Sequence, residues 1–363
     1  MRSVKQIIDA APADVELILV TRDRDLGDTA PYPSLSGRWI RRGRADIYYL
    51  NIRRISQWVS LIRQLRRTPI SIMYVNSLWN PAFSIVPTTL ALLRLLPVRR
   101  ILIAPRGELS RGALGLKSFR KGTFLLVWAR ALRWSAPLWH ASTELEAAEI
   151  RRATRFSIHR ILISPDQVIE PRDAPPAPRN ARVRFVFIGR ISRKKNLKLI
   201  MQAFAVVGTA ATLDVYGPIE DGKYWAECQA VIARLPAHVS IRYSGELSPD
   251  SVIETFSKYD AFVMPTLGEN FGHAIAESLA ASCPVICSDH TPWTPVLADL
   301  GGGEVVRELT PGALGAVLQR WAALTPGEIE QAHASARQAY VTWRDRQERT
   351  NIIELALAAE FRA

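Results

Sequence analysis

Short apolar runs alternate with longer amphipathic segments along most of the chain, and this alternation constrains the fold more than any other feature. The runs are four to seven residues long and apolar at most positions. Such runs indicate strands that are buried on both faces, as in parallel sheets covered by helices. The predicted strands are Val15–Thr21, Ile47–Leu50, Ile70–Val75, Arg100–Ala104, Arg184–Ile188, Ala211–Tyr216, Val239–Tyr243, Ala261–Met264 and Val285–Ser288.

A proline-rich segment divides this pattern into two halves. Ser164–Asn180 contains five prolines and no clear periodicity, which is typical of a linker. The sequence therefore predicts an α/β protein of two domains with a cleft between them, and ligands in such folds bind at the carboxyl ends of the strands. The predicted segments are residues 1–165, a linker at 166–180, residues 181–343, and a helical end at 344–363. The predicted helices include Arg53–Leu65, Leu116–Trp134, Leu197–Val206 and Gly272–Ala281.

The positive charge of the chain lies in its first half. Residues 1–160 hold 27 Lys and Arg against 11 Asp and Glu, a net charge of +16. The remaining residues hold 20 basic and 23 acidic side chains, a net charge of −3. The first half is therefore expected to meet an anionic partner: a membrane surface, a phosphate-bearing substrate or nucleic acid.

Composition excludes several classes of protein. Three cysteines are too few for a disulfide scaffold and fit a reducing compartment. Met1–Ala10 is not followed by the apolar region of a secretory signal. The most apolar stretch, about Ser77–Val98, is interrupted by three prolines and an arginine, so no membrane-spanning helix is predicted. We expect a cytoplasmic protein.

The first chemically informative stretch follows the strand that ends at Ile188. Gly189 allows a turn, Arg190 and Lys195 follow, and a helix is predicted to begin near Asn196. Cationic side chains beside the free N–H groups of a helix start suit a diphosphate. A solvated basic loop is the alternative interpretation.

The second stretch follows the strand that ends at Met264. Gly272 allows a ligand to approach the backbone, and the helix that begins there offers unpaired N–H groups to phosphate or sugar oxygens. Glu269 precedes this helix and Glu277 lies in its second turn. Carboxylates are good acceptors for paired sugar hydroxyls. The alternative is that one glutamate caps the helix and the other is solvated.

Together these stretches resemble the retaining glycosyltransferases of family 4, which have the GT-B fold. The resemblance rests on Gly189-Arg190 with Lys195, on Glu269-x7-Glu277 within GENFGHAIAE, and on Thr291-Pro292-Trp293. In the first half, TRDRDLGDTAPYP, APRGELS and HASTELEAAEIRR resemble a bacterial branch linked to surface polysaccharide assembly. The resemblance implies two Rossmann-like, doubly wound parallel-sheet domains facing a cleft. The first would bind the acceptor and the second the donor, and the last helix would cross back to the first domain, anchored by Trp343, Ile352, Ile353 and Leu357.

The resemblance also implies roles for individual residues. Arg190 and Lys195 would bind the donor diphosphate and stabilise the leaving group, so that neither a metal nor a cofactor is needed. Glu269 would bind hydroxyls of the donor sugar, and Glu277 the ribose of a UDP- or GDP-linked donor. The other implied donor-site residues are Gly189, Tyr216, Gly217, Gly245, Glu246, Asn270, Phe271 and Gly272. The implied chemistry is hexosyl transfer with retention, by departure and attack on one face of the sugar.

Polar residues at strand ends of the first half are candidates for the acceptor side. They are Asn76, Arg106 and His140. Each also has a structural interpretation as a turn, loop or strand-end residue. Asp23-x-Asp25 matches the metal-binding motif of the other major glycosyltransferase fold. Because Arg22 and Arg24 flank it, we interpret it as an arginine-paired loop or part of the acceptor cleft.

Two positions depart from the family pattern. The family opens with a strand and a glycine-rich loop, whereas Met1–Ala10 already resembles the first helix, so this strand and loop are predicted to be missing. Either the start codon is mis-assigned and the natural chain is longer, or the chain is truncated. Ser282 stands where the family usually has Gly, at a position that often takes a positive φ.

The sequence thus predicts a metal-independent, retaining hexosyltransferase acting on a glycan or a polyprenyl-diphosphate-linked glycan. The basic first half would hold it peripherally at the inner face of the plasma membrane. The alternatives are a catalytically impaired relative or truncated gene model, and a nucleotide-sugar epimerase of the same fold. A nucleic-acid binder ranks last, because the sequence has no zinc-finger spacing and no ribonucleoprotein-type aromatic motif.

Overall fold

A computed structural model describes residues 2–25, 28–110, 128, 132, 136–153, 161–166, 170–171, 183–347 and 350–360. The chain divides into two compact units. The N-terminal unit comprises Met1–Gln167 and Glu348–Ala363, and the C-terminal unit comprises Val168–Gln347. Nearly all of the predicted helix Leu116–Trp134 and most of the predicted linker lie outside the described residues.

The strands of the N-terminal unit form two sheets. In chain order they are β1 (Leu17–Arg22), β2 (Trp39–Arg42), β3 (Ala45–Leu50), β4 (Ile70–Val75), β5 (Val98–Ile103), β6 (Leu138–Ala141) and β7 (Ile161–Ile163). One sheet has the order β1-β3-β2, in which β1 is parallel and β2 antiparallel to β3. The other has the order β4-β5-β6-β7 and is parallel throughout. Its carboxyl ends therefore share one edge.

Helices cover these sheets with their apolar faces. In chain order, the first helices of the N-terminal unit are α1 (Arg2–Asp9), α2 (Ile55–Leu65), α3 (Val86–Leu92) and α4 (Glu144–Ala153). Leu61 of α2 is buried with Tyr48 and Leu50 of β3. A single π-helical turn, Pro81–Ile85, leads into α3, and the Asn80 side chain caps it by accepting the N–H groups of the next two non-proline residues.

The C-terminal unit is built on a six-stranded, fully parallel sheet. Its strands are β8 (Arg184–Ile188), β9 (Ala211–Tyr216), β10 (Val239–Tyr243), β11 (Ala261–Met264), β12 (Val285–Ser288) and β13 (Gly303–Val306). Their order is β10-β9-β8-β11-β12-β13. The chain moves outward from β8 in one direction and then outward from β11 in the other, so the switch point lies between these two strands.

Seven further helices lie in the described residues of this unit. They are α5 (Leu197–Phe204), α6 (Gly222–Ile232), α7 (Val252–Phe256), α8 (His273–Ala280), α9 (Thr294–Leu300), α10 (Pro311–Ala322) and α11 (Pro326–Asp345). The strands pack their Val, Ile and Phe side chains against them in one large core. Among the described helices of the whole chain, none is long and apolar enough to cross a bilayer.

The chain ends in α12 (Ile352–Glu360), which belongs to the N-terminal unit. Ile352 and Ile353 pack in a cluster with Leu102 and Leu138, and the Asn351 side-chain amide donates to the Ile7 carbonyl at 3.1 Å. Residues 344–363 are therefore not one helix, because α11 ends at Asp345 before α12 begins. Trp343 lies in α11 and packs in the C-terminal unit, so it does not anchor the last helix.

The list of predicted strands lacks four of the thirteen that the structure describes. One is β6 (Leu138–Ala141), which is buried but only four residues long. β2 lies at the edge of its sheet and carries two exposed arginines, so it has no continuous apolar run. β7 and β13 are also edge strands, and each is only three or four residues long. The five predicted strands of the C-terminal unit match the observed bounds at both ends, and four of them lie inside its sheet, β10 being at the edge.

Candidate functional site

The switch point of the C-terminal sheet brings the two informative stretches together. The segment after β8 and the segment after β11 leave adjacent strands at the same edge. The backbone of Lys194 joins them, since its carbonyl accepts the Leu267 N–H at 2.9 Å and lies 3.2 Å from the Thr266 hydroxyl oxygen. Ligands of open α/β sheets bind at such edges.

An ion pair lies at the centre of this site. The Lys195 Nζ is 2.5 Å from Glu269 Oε1, and the two side chains are only 13% and 11% exposed. The Thr266 hydroxyl donates to the same carboxylate oxygen at 2.9 Å. Within the described residues Oε2 accepts no hydrogen bond, so it is available to a ligand hydroxyl. Asn196 follows Lys195 in the left-handed region at φ 58°, which ends the turn that carries the lysine.

Gly272 begins helix α8 with its backbone at φ 81°. A Cβ at this position would lie 3.1 Å from Cδ1 of Trp293, so both the conformation and the space favour glycine. The Trp293 indole donates to the Phe271 carbonyl at 2.7 Å and is buried. Trp293 thus holds the loop that starts the helix, and the Ile275 N–H donates to the Gly272 carbonyl at 2.8 Å in the first turn.

Glycines follow three neighbouring strands at this edge. The Gly217 N–H donates to the Gly245 carbonyl at 2.8 Å, and the Gly189 N–H donates to the Tyr216 carbonyl at 3.0 Å. A Cβ on Gly217 would lie 2.1 Å from the Gly189 carbonyl oxygen, so no side chain fits there. These glycines leave bare backbone at the ends of β8, β9 and β10.

Arg190 is paired with an acid from the neighbouring strand end. Its Nη1 lies 3.0 Å from both carboxylate oxygens of Glu220, and the side chains are 59% and 42% exposed. Exposed pairs of this kind contribute at most about 1 kcal/mol, so a ligand anion can displace Glu220.

The remaining predicted donor residues lie around the same edge. Phe271 and Glu277 are buried, the latter at 6% exposure in the second turn of α8, whereas Glu246 is exposed. Asn270 lies between Glu269 and Phe271 and is half-buried. The hydroxyl of Tyr216 contacts that of Tyr259 at 3.0 Å, so its side chain is engaged in the unit itself.

The three candidate residues of the N-terminal unit are joined in one network. Arg106 donates from Nε to the Asn76 side-chain oxygen at 2.8 Å and from Nη2 to the Tyr74 hydroxyl at 2.8 Å. Its Nη1 donates to Asp166 at 2.7 Å and to the Ser142 hydroxyl at 3.0 Å. The network therefore gathers side chains from the carboxyl ends of β4, β5, β6 and β7.

Hydrogen bonding determines the tautomer of His140. Its Nε2 lies 2.8 Å from the Ser164 carbonyl, which can only accept, so Nε2 carries the proton. Nδ1 then accepts from the Tyr74 hydroxyl at 2.8 Å. Burial, together with the charge of Arg106, lowers the pKa of His140 from 6.5 to about 4. His140 is therefore a neutral, buried residue that orients Tyr74.

The charge of Arg106 persists in this buried setting. Burial opposes it, but Tyr74, Asp166 and Glu146 outweigh burial and raise the pKa of Arg106. Its backbone is in the left-handed region at φ 54°, which is unfavourable for a side chain of this size. The Glu146 carboxylate accepts the N–H groups of Gly107 and Ser142 at 2.8 and 2.7 Å, which holds the loop in place.

Four residues that contact the predicted site residues were not among the candidates from the sequence. Glu220 and Thr266 contact the predicted donor residues, and Tyr74 and Asp166 contact Arg106. All four lie within four residues of the carboxyl end of a strand, which is the signal that could have identified them.

Asp23 has an arginine as its partner. Its carboxylate accepts from Arg24 Nε at 2.9 Å and from the Ser36 hydroxyl at 2.7 Å, and it is buried. Asp23 thus lies in an arginine-paired loop, which is one of the two interpretations that the sequence left open. The described residues contain no cluster of three or more His, Cys, Asp or Glu side chains that could hold a metal ion.

A protein-family model matches most of the C-terminal unit. Residues 170–340 match the family model described as "Glycosyl transferases group 1". The O-antigen chain mannosyltransferase B of Escherichia coli is 26% identical over 122 residues, 32% of this chain and 31% of the relative. A Campylobacter jejuni enzyme is 29% identical over 103 residues, 28% of this chain and 27% of the relative. It is an N-acetylgalactosamine-N,N'-diacetylbacillosaminyl-diphospho-undecaprenol 4-alpha-N-acetylgalactosaminyltransferase. Each alignment spans less than a third of the relative.

Solved structures resemble the chain over most of its length. Sucrose-phosphate synthase from Thermosynechococcus elongatus has a TM-score of 0.70 at 18% identity, covering 99% of this chain and 92% of that one. WaaG, a glycosyltransferase involved in lipopolysaccharide biosynthesis, has a TM-score of 0.68 at 14% identity, covering 98% and 94%. HepE of Anabaena, solved with UDP and glucose, has a TM-score of 0.66 at 14% identity, covering 87% and 85%. These likenesses establish the fold.

Proposed function

We propose that the protein transfers a hexosyl group from a nucleoside-diphosphate sugar with retention of configuration. Two findings support the proposal: residues 170–340 match the group 1 glycosyltransferase model, and the chain has the GT-B fold. The observation that carries the proposal is the Lys195–Glu269 pair beside Gly272 at the switch point. This arrangement offers a cation for a phosphate, a carboxylate for a sugar hydroxyl and the N-terminal end of helix α8 for either.

Fixed cations would supply the charge that the leaving group needs. Lys195 has three N–H donors and uses one on Glu269, so it can bind a phosphate oxygen at the same time. Arg190 can turn from Glu220 to the diphosphate, which it can bind with two parallel hydrogen bonds. As the bond from the anomeric carbon to the phosphate oxygen breaks, both cations stabilise the negative charge that develops there, and a metal is not required.

The sugar and the ribose would be held by carboxylates. Glu269 Oε2 faces a ligand hydroxyl while Oε1 remains on Lys195 and Thr266. Glu277, in the second turn of α8, would accept hydrogen bonds from the ribose hydroxyls of UDP or GDP. The complex of HepE with UDP and glucose supports a donor of this class.

The acceptor is proposed to be a glycan or a polyprenyl-diphosphate-linked glycan. The diphospho-undecaprenol named for the Campylobacter relative supports this class. The Arg106 network would line the acceptor side, because it gathers polar groups at the carboxyl ends of four strands. The basic N-terminal unit would hold the enzyme at the inner, anionic face of the plasma membrane.

A donor panel tests the proposal. We expect binding of UDP or GDP in calorimetry and, with the right sugar and acceptor, a product whose anomeric configuration matches the donor by NMR. Arg190→Ala, Lys195→Ala and Glu277→Ala should each weaken nucleotide binding or transfer by at least tenfold, since a charged hydrogen bond contributes about 1.5–3 kcal/mol. Metal chelation should have no effect.

Arg242→Ala is the matched control. Arg242 is also exposed and also bound by two contacts to one carboxylate, Asp214, but away from the switch point. Its removal should leave nucleotide binding unchanged. Unchanged affinity in both Arg190→Ala and Glu277→Ala would refute the donor site. Nucleotide binding without any transfer would instead favour a catalytically impaired relative.

A further inference from the structure

Helix α2 exposes apolar and basic side chains along one face. Ile55, Val59, Arg63 and Arg66 are spaced by four, four and three residues, so they lie on the same side of the helix and its C-terminal extension. Ile55 is 79% exposed and Val59 49% exposed. A soluble surface helix normally presents polar residues at such positions.

The opposite face of α2 is already used in packing. Leu61 is buried against Tyr48 and Leu50, and Trp58 and Leu65 pack against the same cluster. The helix is therefore anchored to the N-terminal unit by one side. Ile55 and Val59 are not part of that core, so their apolar side chains remain available to a binding partner.

The surroundings of this face are strongly basic. Asn51–Arg67 contains five arginines and no acidic residue. None of the five forms an ion pair with another described residue, and all are exposed. Strand β2 lies beside the helix, since the Trp39 indole donates to the Gln64 side chain at 2.5 Å. It adds Arg41, which is paired with Asp46, and the exposed Arg42.

We infer that the exposed face of α2 docks on an anionic lipid bilayer. Apolar side chains that enter the interface, flanked by arginines that reach lipid phosphates, are the features of an interfacial helix. Nucleic acid would use the arginines but offers no partner to Ile55 and Val59. A second copy of the same face would repel this one through like charge. Helix α2 would thus be the surface by which the proposed glycosyltransferase contacts the membrane. The docking itself does not depend on that function, which supplies only its biological purpose.

Vesicle binding tests the assignment directly. The full chain is sedimented with phosphatidylglycerol–phosphatidylcholine vesicles and with pure phosphatidylcholine vesicles. We expect binding to the anionic vesicles only, weakened by salt. Arg63→Glu with Arg66→Glu should lower the partition constant by tenfold or more. Ile55→Gln should lower it severalfold at unchanged net charge.

The C-terminal unit provides matched controls. Arg234→Glu with Arg307→Glu makes the same charge change at exposed positions, and Val206→Gln replaces an apolar side chain that is 59% exposed. Neither should change vesicle binding. Equal binding to both vesicle types, or equal losses in the α2 and control variants, would overturn the inference. So would α2 variants that alter the oligomeric state but not vesicle binding.

Failure of this inference is distinguishable from failure of the proposed function. The α2 variants should retain wild-type nucleotide binding and transfer to a water-soluble acceptor. Loss of vesicle binding alone, with nucleotide binding intact, supports the docking surface. An unchanged thermal unfolding midpoint in Ile55→Gln confirms that the fold is intact.

Discussion

At the residue scale, both cations proposed for the donor site are already paired with carboxylates. Lys195 is bound to Glu269 in a mostly buried position, whereas Arg190 is bound to Glu220 in an exposed one. A buried pair costs several kcal/mol to separate, and an exposed pair costs little. We therefore expect Lys195 to keep its partner when the donor binds and Arg190 to exchange its partner for phosphate.

Glu220→Gln is expected to tighten nucleoside-diphosphate binding by about two- to fivefold. The substitution removes a competitor for Arg190 and a negative charge near the phosphates, and the lost pair contributes up to about 1 kcal/mol. Calorimetric titration with UDP and GDP measures the change. Glu254→Gln, which breaks the exposed pair with Lys258, should have no effect. Weaker binding in Glu220→Gln would mean that Glu220 orients Arg190 for the donor.

His140 is expected to make stability depend on pH. Its pKa is about 4 in the folded protein against an ordinary value of 6.5, so the unfolded chain takes up the proton first. Stability from this residue is thus full above about pH 6.5 and is lost as the pH falls towards 4, by up to about 3 kcal/mol. Urea unfolding of wild type and His140→Gln at pH 7.5 and 5 measures it. The glutamine amide can still donate to the Ser164 carbonyl but does not titrate, so an equal pH dependence in both proteins would contradict the assignment.

At the element scale, two backbone hydrogen bonds define the C-terminal end of helix α8. The Cys283 N–H donates to the Ser278 carbonyl at 2.8 Å, and the Ser282 N–H donates to the Leu279 carbonyl at 2.9 Å. These two bonds form a Schellman motif, which requires a left-handed residue. Ser282 occupies it at φ 60°, as the comparison with the family pattern predicted.

Ser282→Gly is expected to stabilise the protein by about 1 kcal/mol, because glycine adopts a positive φ without steric cost. The free energy of unfolding in urea measures the gain. Ser257→Gly is the comparison, since Ser257 ends helix α7 at φ −62°. There glycine brings extra chain entropy to the unfolded state and removes the hydroxyl that donates to the Glu254 carbonyl at 2.8 Å. The control should be destabilised. A loss of stability in Ser282→Gly would show that the serine makes a compensating contact.

At the scale of the whole molecule, charge and chemistry are divided between the two units. The residues proposed to bind the donor lie in the C-terminal unit, and the excess of basic residues lies in the N-terminal unit. A ligand that binds only the native C-terminal unit stabilises it by mass action, by about 2.7 kcal/mol at one hundred times its dissociation constant.

Hydrogen exchange with and without saturating nucleoside diphosphate should locate the donor site. We expect the largest gain in protection at residues 189–196 and 266–277, which carry the switch-point segments. The fold-change in exchange is read peptide by peptide by mass spectrometry, with adenosine as the control ligand because it lacks a diphosphate. Protection confined to the N-terminal unit would contradict the assignment of donor and acceptor sides.

The sequence by itself determined the fold class, the buried strands of the C-terminal unit and the position of the glycines and charges at their ends. It could do so because continuous apolar runs and strand-end glycines are local patterns. Only the tertiary structure decided which strand ends meet, and hence that Lys195 contacts Glu269 and that Arg106 contacts Asp166. These pairs are 74 and 60 residues apart in the chain. Edge strands such as β2 and the neutral state of His140 also depend on neighbours that are distant in sequence, since burial and pairing are properties of the packed units.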